Sequence, residues 1–239
     1  MDQEYVSDVL YHFVGRNNPL DDEDCFRKLK QILKSGYVAA KDVETGELQL
    51  RLGDLQCMIN LGGNLRDEDL VTANITCFCD IPLKAQGIHY SKYGKFGIGF
   101  RLDYLARVGA RPVYYLPFSE EEYSGKVIGT NGGWLIEKLE SEIKSLFIRA
   151  DEDKAKNDLE RVEDVLSRHF AAFIKPYDRD LPIEHLKFYY TEREWRNVGS
   201  VKIDLQQVKR ITVAKEYKQR LIDDMPELAA LEIEEVPVG

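Results

Sequence analysis

The first apolar run, Val9-Leu10-Tyr11-His12-Phe13-Val14, is short and rich in aromatic and β-branched residues. Gly15 and the Asn17-Asn18-Pro19 cluster stop it, so it predicts a strand. The period then changes. Phe26, Leu29, Ile32 and Leu33 recur at helical spacing, behind the acidic caps Asp21 and Asp22 and ahead of Gly36. That pattern predicts a helix with both ends marked. Residues 38–70 carry a hairpin-like Thr45-Gly46 and a loop at Gly62-Gly63-Asn64.

Three strand signals follow: Ile75–Cys79, the alternating Phe96, Ile98 and Phe100, and Pro112–Leu116. Glycines 94, 97 and 99 leave room for another backbone or a ligand. From Trp134 to Arg149 and from Asp153 to Phe173 the apolar spacing is again helical. Strand signals return over Phe188–Arg196, Val201–Leu205 and Arg210–Ala214, before an amphipathic stretch at Glu216–Asp224. The order predicts an α+β fold, mainly antiparallel, with mixed sheets and peripheral helices. It reads as one domain over 1–239 with a helical insertion at about 134–173.

Charge narrows the class of partner. The 239 residues hold 33 Lys+Arg against 42 Asp+Glu, a net charge of −9, which weighs against non-specific nucleic-acid binding. No apolar run approaches the roughly 20 residues needed to cross a bilayer. The acidic start Met1-Asp2-Gln3-Glu4 lacks the basic and apolar pattern of a secretion signal, so a cytoplasmic protein is expected. Cys77 and Cys79 form a C-x-C without a second ligand pair, so the four cysteines read as reduced structural thiols and no metal is expected.

The segment Phe188–Arg196 is the richest in chemistry. As a strand it would place Glu192, Glu194 and Arg196 on one face. Two carboxylates about 7 Å apart repel unless a cation or substrate hydroxyls separate them. On alternation alone, the ordinary reading is an exposed strand whose charges pair with neighbours. His12 is open to two readings, a satisfied strand histidine or a ligand-holding one. His89 precedes the glycine-spaced strand, and His169 lies among Phe170 and Phe173. Phosphate-loop, dinucleotide-fingerprint, nucleophile-elbow and H-E-x-x-H motifs are absent, which removes the commonest kinase, hydrolase and metalloprotease classes.

Taken together, the segments carry a resemblance. They are Leu10-Tyr-His-Phe-Val14, Ile32–Tyr37, Cys77-Phe-Cys-Asp-Ile-Pro-Leu83, Tyr93-Gly-Lys-Phe-Gly-Ile-Gly-Phe100 and Glu192-Arg-Glu-Trp-Arg196. In that order the chain resembles the AbiGi-type family of bacterial abortive-infection proteins, from about residue 9 to 222. The resemblance implies a part in phage resistance and, through an antitoxin role, a toxin partner protein. More distantly the chain is similar to the ADP-ribosyltransferase fold, whose members split NAD and move ADP-ribose to a macromolecular acceptor. That similarity implies NAD as a substrate, Glu194 stabilising the ribose charge, and Glu192 orienting or deprotonating the acceptor. It also implies that His12 holds the adenosine-side ribose, Tyr90 or Tyr93 stacks on nicotinamide, and Arg196 pairs with carboxylate or pyrophosphate.

Overall fold

The computed structural model describes residues 7–38, 58–60, 62–66, 70–72, 74–119, 132–148, 169–185 and 187–236. The Thr45-Gly46 hairpin and most of the second insertion helix, 153–168, lie outside these residues. The chain groups into two compact units. Unit 1 takes in residues 1–51, 76–111 and 192–239, and unit 2 takes in 52–75 and 112–191, which includes the helical stretch read as an insertion.

Unit 1 is built on a sheet that follows the hydrophobic pattern closely. Its strands are β1 (Val9–Phe13), β5 (Ile75–Cys79), β6 (Gly97–Arg101), β7 (Arg111–Pro112), β10 (Glu194–Val198), β12 (Val208–Ala214) and β13 (Glu232–Val236). Their order is β13-β12-β6-β1-β5-β10-β7. β1 pairs antiparallel with β5 and β6, β12 pairs antiparallel with β6, and β12 with β13 is parallel. A two-stranded pair, β2 (Tyr37–Val38) with β11 (Val201–Lys202), completes the strands of this unit.

The first helix, α1 (Asp22–Ser35), begins and ends where the sequence marks it. Asp21 accepts a hydrogen bond from the Asp24 amide, satisfying one of the free donors of the first turn. Gly36 closes the helix at φ 74°, a left-handed conformation that an L side chain resists. Cys25, Phe26, Leu29, Ile32 and Leu33 point inward, the stripe that a 3.6-residue period requires.

The two faces of the unit 1 sheet differ. One packs Leu10, Phe78, Ile98, Phe100, Ile211 and Val213 against α1 and against α5 (Lys218–Asp224), which supplies Leu221. The other gathers Val9, Tyr11, Cys79 and Ile81, with Phe13 and Leu83 beside them. On this second face a Cβ at Gly97 would come within 2.8 Å of the Phe13 ring, and one at Gly99 within 2.8 Å of Tyr11 and Val9. The aromatic rings of β1 thus use the space that the alternating glycines of β6 leave. Two further helices, α2 (Gly87–Tyr93) and α3 (Leu102–Arg107), flank β6 in sequence and belong to this unit.

Unit 2 holds the pair β3 (Met58–Ile59) with β4 (Val71–Thr72) and the parallel pair β8 (Tyr114–Phe118) with β9 (Ile174–Asp178). Its helix α4 (Gly132–Ile148) places Ile136 and Ile143 in a core with Leu65, Leu70, Phe118 and Ile174. The expected strand over Pro112–Leu116 runs instead as Tyr114–Phe118, and Ala171–Phe173 form a 3₁₀ turn. Across both units the described architecture is α+β with mostly antiparallel pairing.

Candidate functional site

Phe188–Arg196 departs from the expected continuous strand. Tyr189–Glu192 wind into a 3₁₀ turn, Arg193 takes φ 45°, and the strand starts only at Glu194. A left-handed arginine costs about 1–3 kcal/mol, so its surroundings must hold it. Asp80 does so from the end of β5. Its amide donates to the Arg193 carbonyl at 3.2 Å, and its Oδ2 accepts from the Arg193 guanidinium at 2.8 Å. The other oxygen, Oδ1, accepts from the Ser7 amide at 3.3 Å. The aspartate of the Cys77–Leu83 block is therefore a clamp on the turn between the two glutamates.

Both glutamates are buried, at 4% exposure for Glu192 and 5% for Glu194. The ordinary reading of an exposed charged strand is thereby corrected. Glu192 Oε1 accepts the Tyr93 hydroxyl, and Lys92 Nζ lies 3.7 Å from the same oxygen. Glu194 Oε1 accepts from Arg196 Nε at 2.7 Å. Burial pushes the Tyr93 hydroxyl well above its ordinary range, and the Glu192 charge adds to that. Cys79 is held as a neutral thiol first by burial and then by the Glu192 and Asp80 charges.

Tyr90 stands edge-on to Phe13 at 5.9 Å and donates its hydroxyl to Gln86 Oε1 at 2.8 Å. Burial raises its pKa as well, so it stays a neutral phenol.

His12 goes elsewhere. Side chains alternate along β1, so Tyr11 and Phe13 share one face while Leu10 and His12 share the other. The His12 ring meets Phe78 at 6.0 Å, and its Nδ1 donates to the Cys77 carbonyl at 2.9 Å. Burial pulls its pKa below the ordinary histidine value, against the effect of that carbonyl. Along β10, Trp195 packs on the Leu10 and Phe78 side, which directs Glu194 and Arg196 to the Tyr11 side. The structure brings Tyr90, Tyr93, Glu192, Glu194 and Arg196 to one face of the sheet, and places His12 on the opposite face.

Sequence reasoning passed over Asp80, Lys92 and Arg193. Asp80 lies inside the Cys77–Leu83 block and Arg193 inside Glu192–Arg196, each beside residues that stand out more. Lys92 had no signal, because α2 was not predicted and its inward side could not be read.

His89 of α2 is 2% exposed and lies beside Phe13 and Tyr93. Burial lowers its pKa from 6.5 to about 4, and the Lys92 charge adds to the shift. The folded protein thus holds this ring neutral while the unfolded chain binds a proton below pH 6.5. Its contribution is complete above pH 6.5 and falls away as pH drops towards 4, by about 2 kcal/mol at pH 5. Urea midpoints at pH 7 and pH 5 check this, and His89→Gln is expected to remove that part of the fall.

Among the described residues no group of three or more His, Cys, Asp and Glu could hold a metal ion. No helix among them is long and apolar enough to cross a membrane. A family model described as "Putative abortive phage resistance protein AbiGi, antitoxin" matches residues 67–226. The chain belongs to the AbiGi family. The AbiGi match contains the Cys77–Leu83 and Tyr93–Phe100 blocks and the Glu192–Arg196 segment, while β1, His12 and α1 precede it. No curated protein and no solved structure matches the chain.

Proposed function

We propose that this AbiGi-family chain serves bacterial phage defence as a binding module, an antitoxin that acts by covering a partner toxin protein in the cytoplasm. One observation carries the choice of binding over catalysis. The carboxylates of Glu192 and Glu194 are engaged by the chain's own Tyr93, Lys92 and Arg196, and His12 lies across the sheet from them. A carboxylate that stabilises charge on a sugar must present an oxygen to it. Here the buried pairs brace the turn at Arg193 instead. The test is co-expression with the product of the adjacent gene: that product alone arrests growth, and this chain restores it. A harmless product, or one still toxic beside this chain, overturns the antitoxin reading.

A second reading rests on the convergence itself. Burying an ion costs several kcal/mol, and a hydrophobic replacement often serves stability as well. Drawing Glu192, Glu194, Arg196, Lys92 and two tyrosines to one face therefore suits a site as well as a brace. In this reading the face is an ADP-ribosyltransferase-like cleft for NAD. Glu194 stabilises positive charge on the ribose carbon as nicotinamide leaves, Glu192 orients a macromolecular acceptor, and Tyr93 stacks on the ring. Arg196 would then exchange Glu194 for pyrophosphate, and His12 would have no contact role. Nicotinamide release from NAD decides between the readings. The binding reading expects none, whereas release abolished in a folded Glu194→Gln or Glu192→Gln protein establishes the cleft.

A further inference from the structure

Helix α2 is inverted in polarity. Its inward positions are His89, Tyr90, Lys92 and Tyr93, with Gln86 buried just before them, while its one aliphatic side chain, Ile88, is 40% exposed. Helix α1 does the opposite and turns in Phe26, Leu29, Ile32 and Leu33. An apolar face is what ordinarily holds a helix to its sheet, and seven residues are too few to be helical alone. No aliphatic side chain anchors α2.

Its attachments are polar. Glu192 Oε1 accepts the Tyr93 hydroxyl and lies 3.7 Å from Lys92 Nζ, so one carboxylate oxygen meets two residues of the last turn. The Gly15 amide donates to the Tyr93 carbonyl at 2.8 Å. At the other end, Gln86 Nε2 donates to the Ile81 carbonyl at 3.0 Å, within the same stretch of chain. Between these ends the His89 and Tyr90 rings rest on Phe13.

The closed arrangement carries costs that opening removes. His89 Nε2 is buried without a hydrogen-bond partner among the described residues, and the Lys92 ammonium is buried as well. Both groups regain water when α2 lifts. Glycine stands at each end of the helix. A Cβ at Gly87 would meet nothing within 4 Å, and Gly94 has φ 77°. Such positions absorb the backbone change of a moving segment.

We infer that α2 is a lid on this face of the unit 1 sheet, latched by Glu192, and that it opens while the strands beneath it stay paired. Opening uncovers the Phe13 ring and parts the Glu192 carboxylate from Tyr93 and Lys92, so the lid gates access to this face. The inference goes beyond both functional readings and depends on neither.

Native-state hydrogen exchange of the full chain, read residue by residue, tests the lid. The amides of Tyr90 and Gly94, bonded to the Gln86 and Tyr90 carbonyls, are expected to exchange at least about 100-fold faster than those of β1 and β6, with little dependence on urea. Phe26→Leu speeds the strand amides and leaves the α2 amides unchanged, because Phe26 packs on Phe96 and Tyr217 rather than on α2. Glu192→Gln speeds the α2 amides by about tenfold or more. Tyr93→Phe keeps the ring, removes only the hydroxyl bond and speeds them by about threefold or more, which reads the latch even where Glu192→Gln does not fold. Amides of α2 that share the rate and urea dependence of the strands, or that Phe26→Leu speeds equally, overturn the lid. Unchanged α2 exchange in the latch variants overturns the role of Glu192.

Discussion

Arg196→Ala is expected to destabilise unit 1 by about 3–5 kcal/mol, the usual cost of removing one partner from a buried ion pair. Arg196 and Glu194 are 4% and 5% exposed, and the guanidinium Nε donates to the carboxylate at 2.7 Å. Truncating the arginine removes that cation from a carboxylate that water cannot reach to replace it. The two residues stand two positions apart on one face of β10. Replacing both residues by methionine removes both desolvation penalties and is expected to recover most of the loss. Trp195 lies between them, and in a Trp134→Phe background its fluorescence during denaturant unfolding reports on unit 1 alone. A loss below 1 kcal/mol in Arg196→Ala would show that the ion pair braces nothing.

Phe26→Ala carries the second large expected loss, also about 3–5 kcal/mol, through the opposite face of the same sheet. The Phe26 ring is 2% exposed and lies 5.0 Å from Tyr217 and 6.1 Å from Phe96. It therefore joins α1 to Phe96, just ahead of β6, and to the turn that leads into α5. Lys30 and Arg220 cover it at 4.3 Å and 4.9 Å, so the alanine variant forfeits cation–π contacts as well as buried area. Phe26→Leu keeps most of the volume and is expected to lose less than about 1.5 kcal/mol. Because Phe26 and Arg196 lie on opposite faces of the sheet, the double variant should show the sum of the two losses within about 0.5 kcal/mol. The same denaturation measurement checks both.

Much of the architecture is legible in the sequence. The caps of α1, its inward stripe and the strands at 9–13, 75–79 and 97–101 all follow from local pattern, because period and capping are written in neighbouring residues. Short elements are not. The seven residues of α2 and the six of α3 are too few to show a period, and the acidic Glu232–Val236 carries only two apolar residues to mark it as a strand. Phe188–Arg196 failed for a different reason. Its alternation is real, but the left-handed Arg193 breaks the strand inside it, and that conformation is held by Asp80, 113 residues away.

Residues of the candidate site divide along the same line. Glu192, Glu194 and Arg196 stood out because they are close together in sequence, and Tyr90 and Tyr93 because they precede a distinctive glycine pattern. Their assembly with Lys92 and Asp80 depends on contacts across the sheet. His12 was placed with the glutamates by chain order alone, and order along a strand says nothing about which face a side chain occupies.

Residue types at short, countable spacings fix the α+β class and the ends and apolar face of α1, and the order of distant segments fixes membership of the AbiGi family. Only contacts across the sheet bury and pair the two glutamates and leave His12 on the face opposite to them. Facing and burial are set by strand pairing between residues far apart in the chain, as far as Tyr37 with Lys202, and a one-residue change of register would have reversed them.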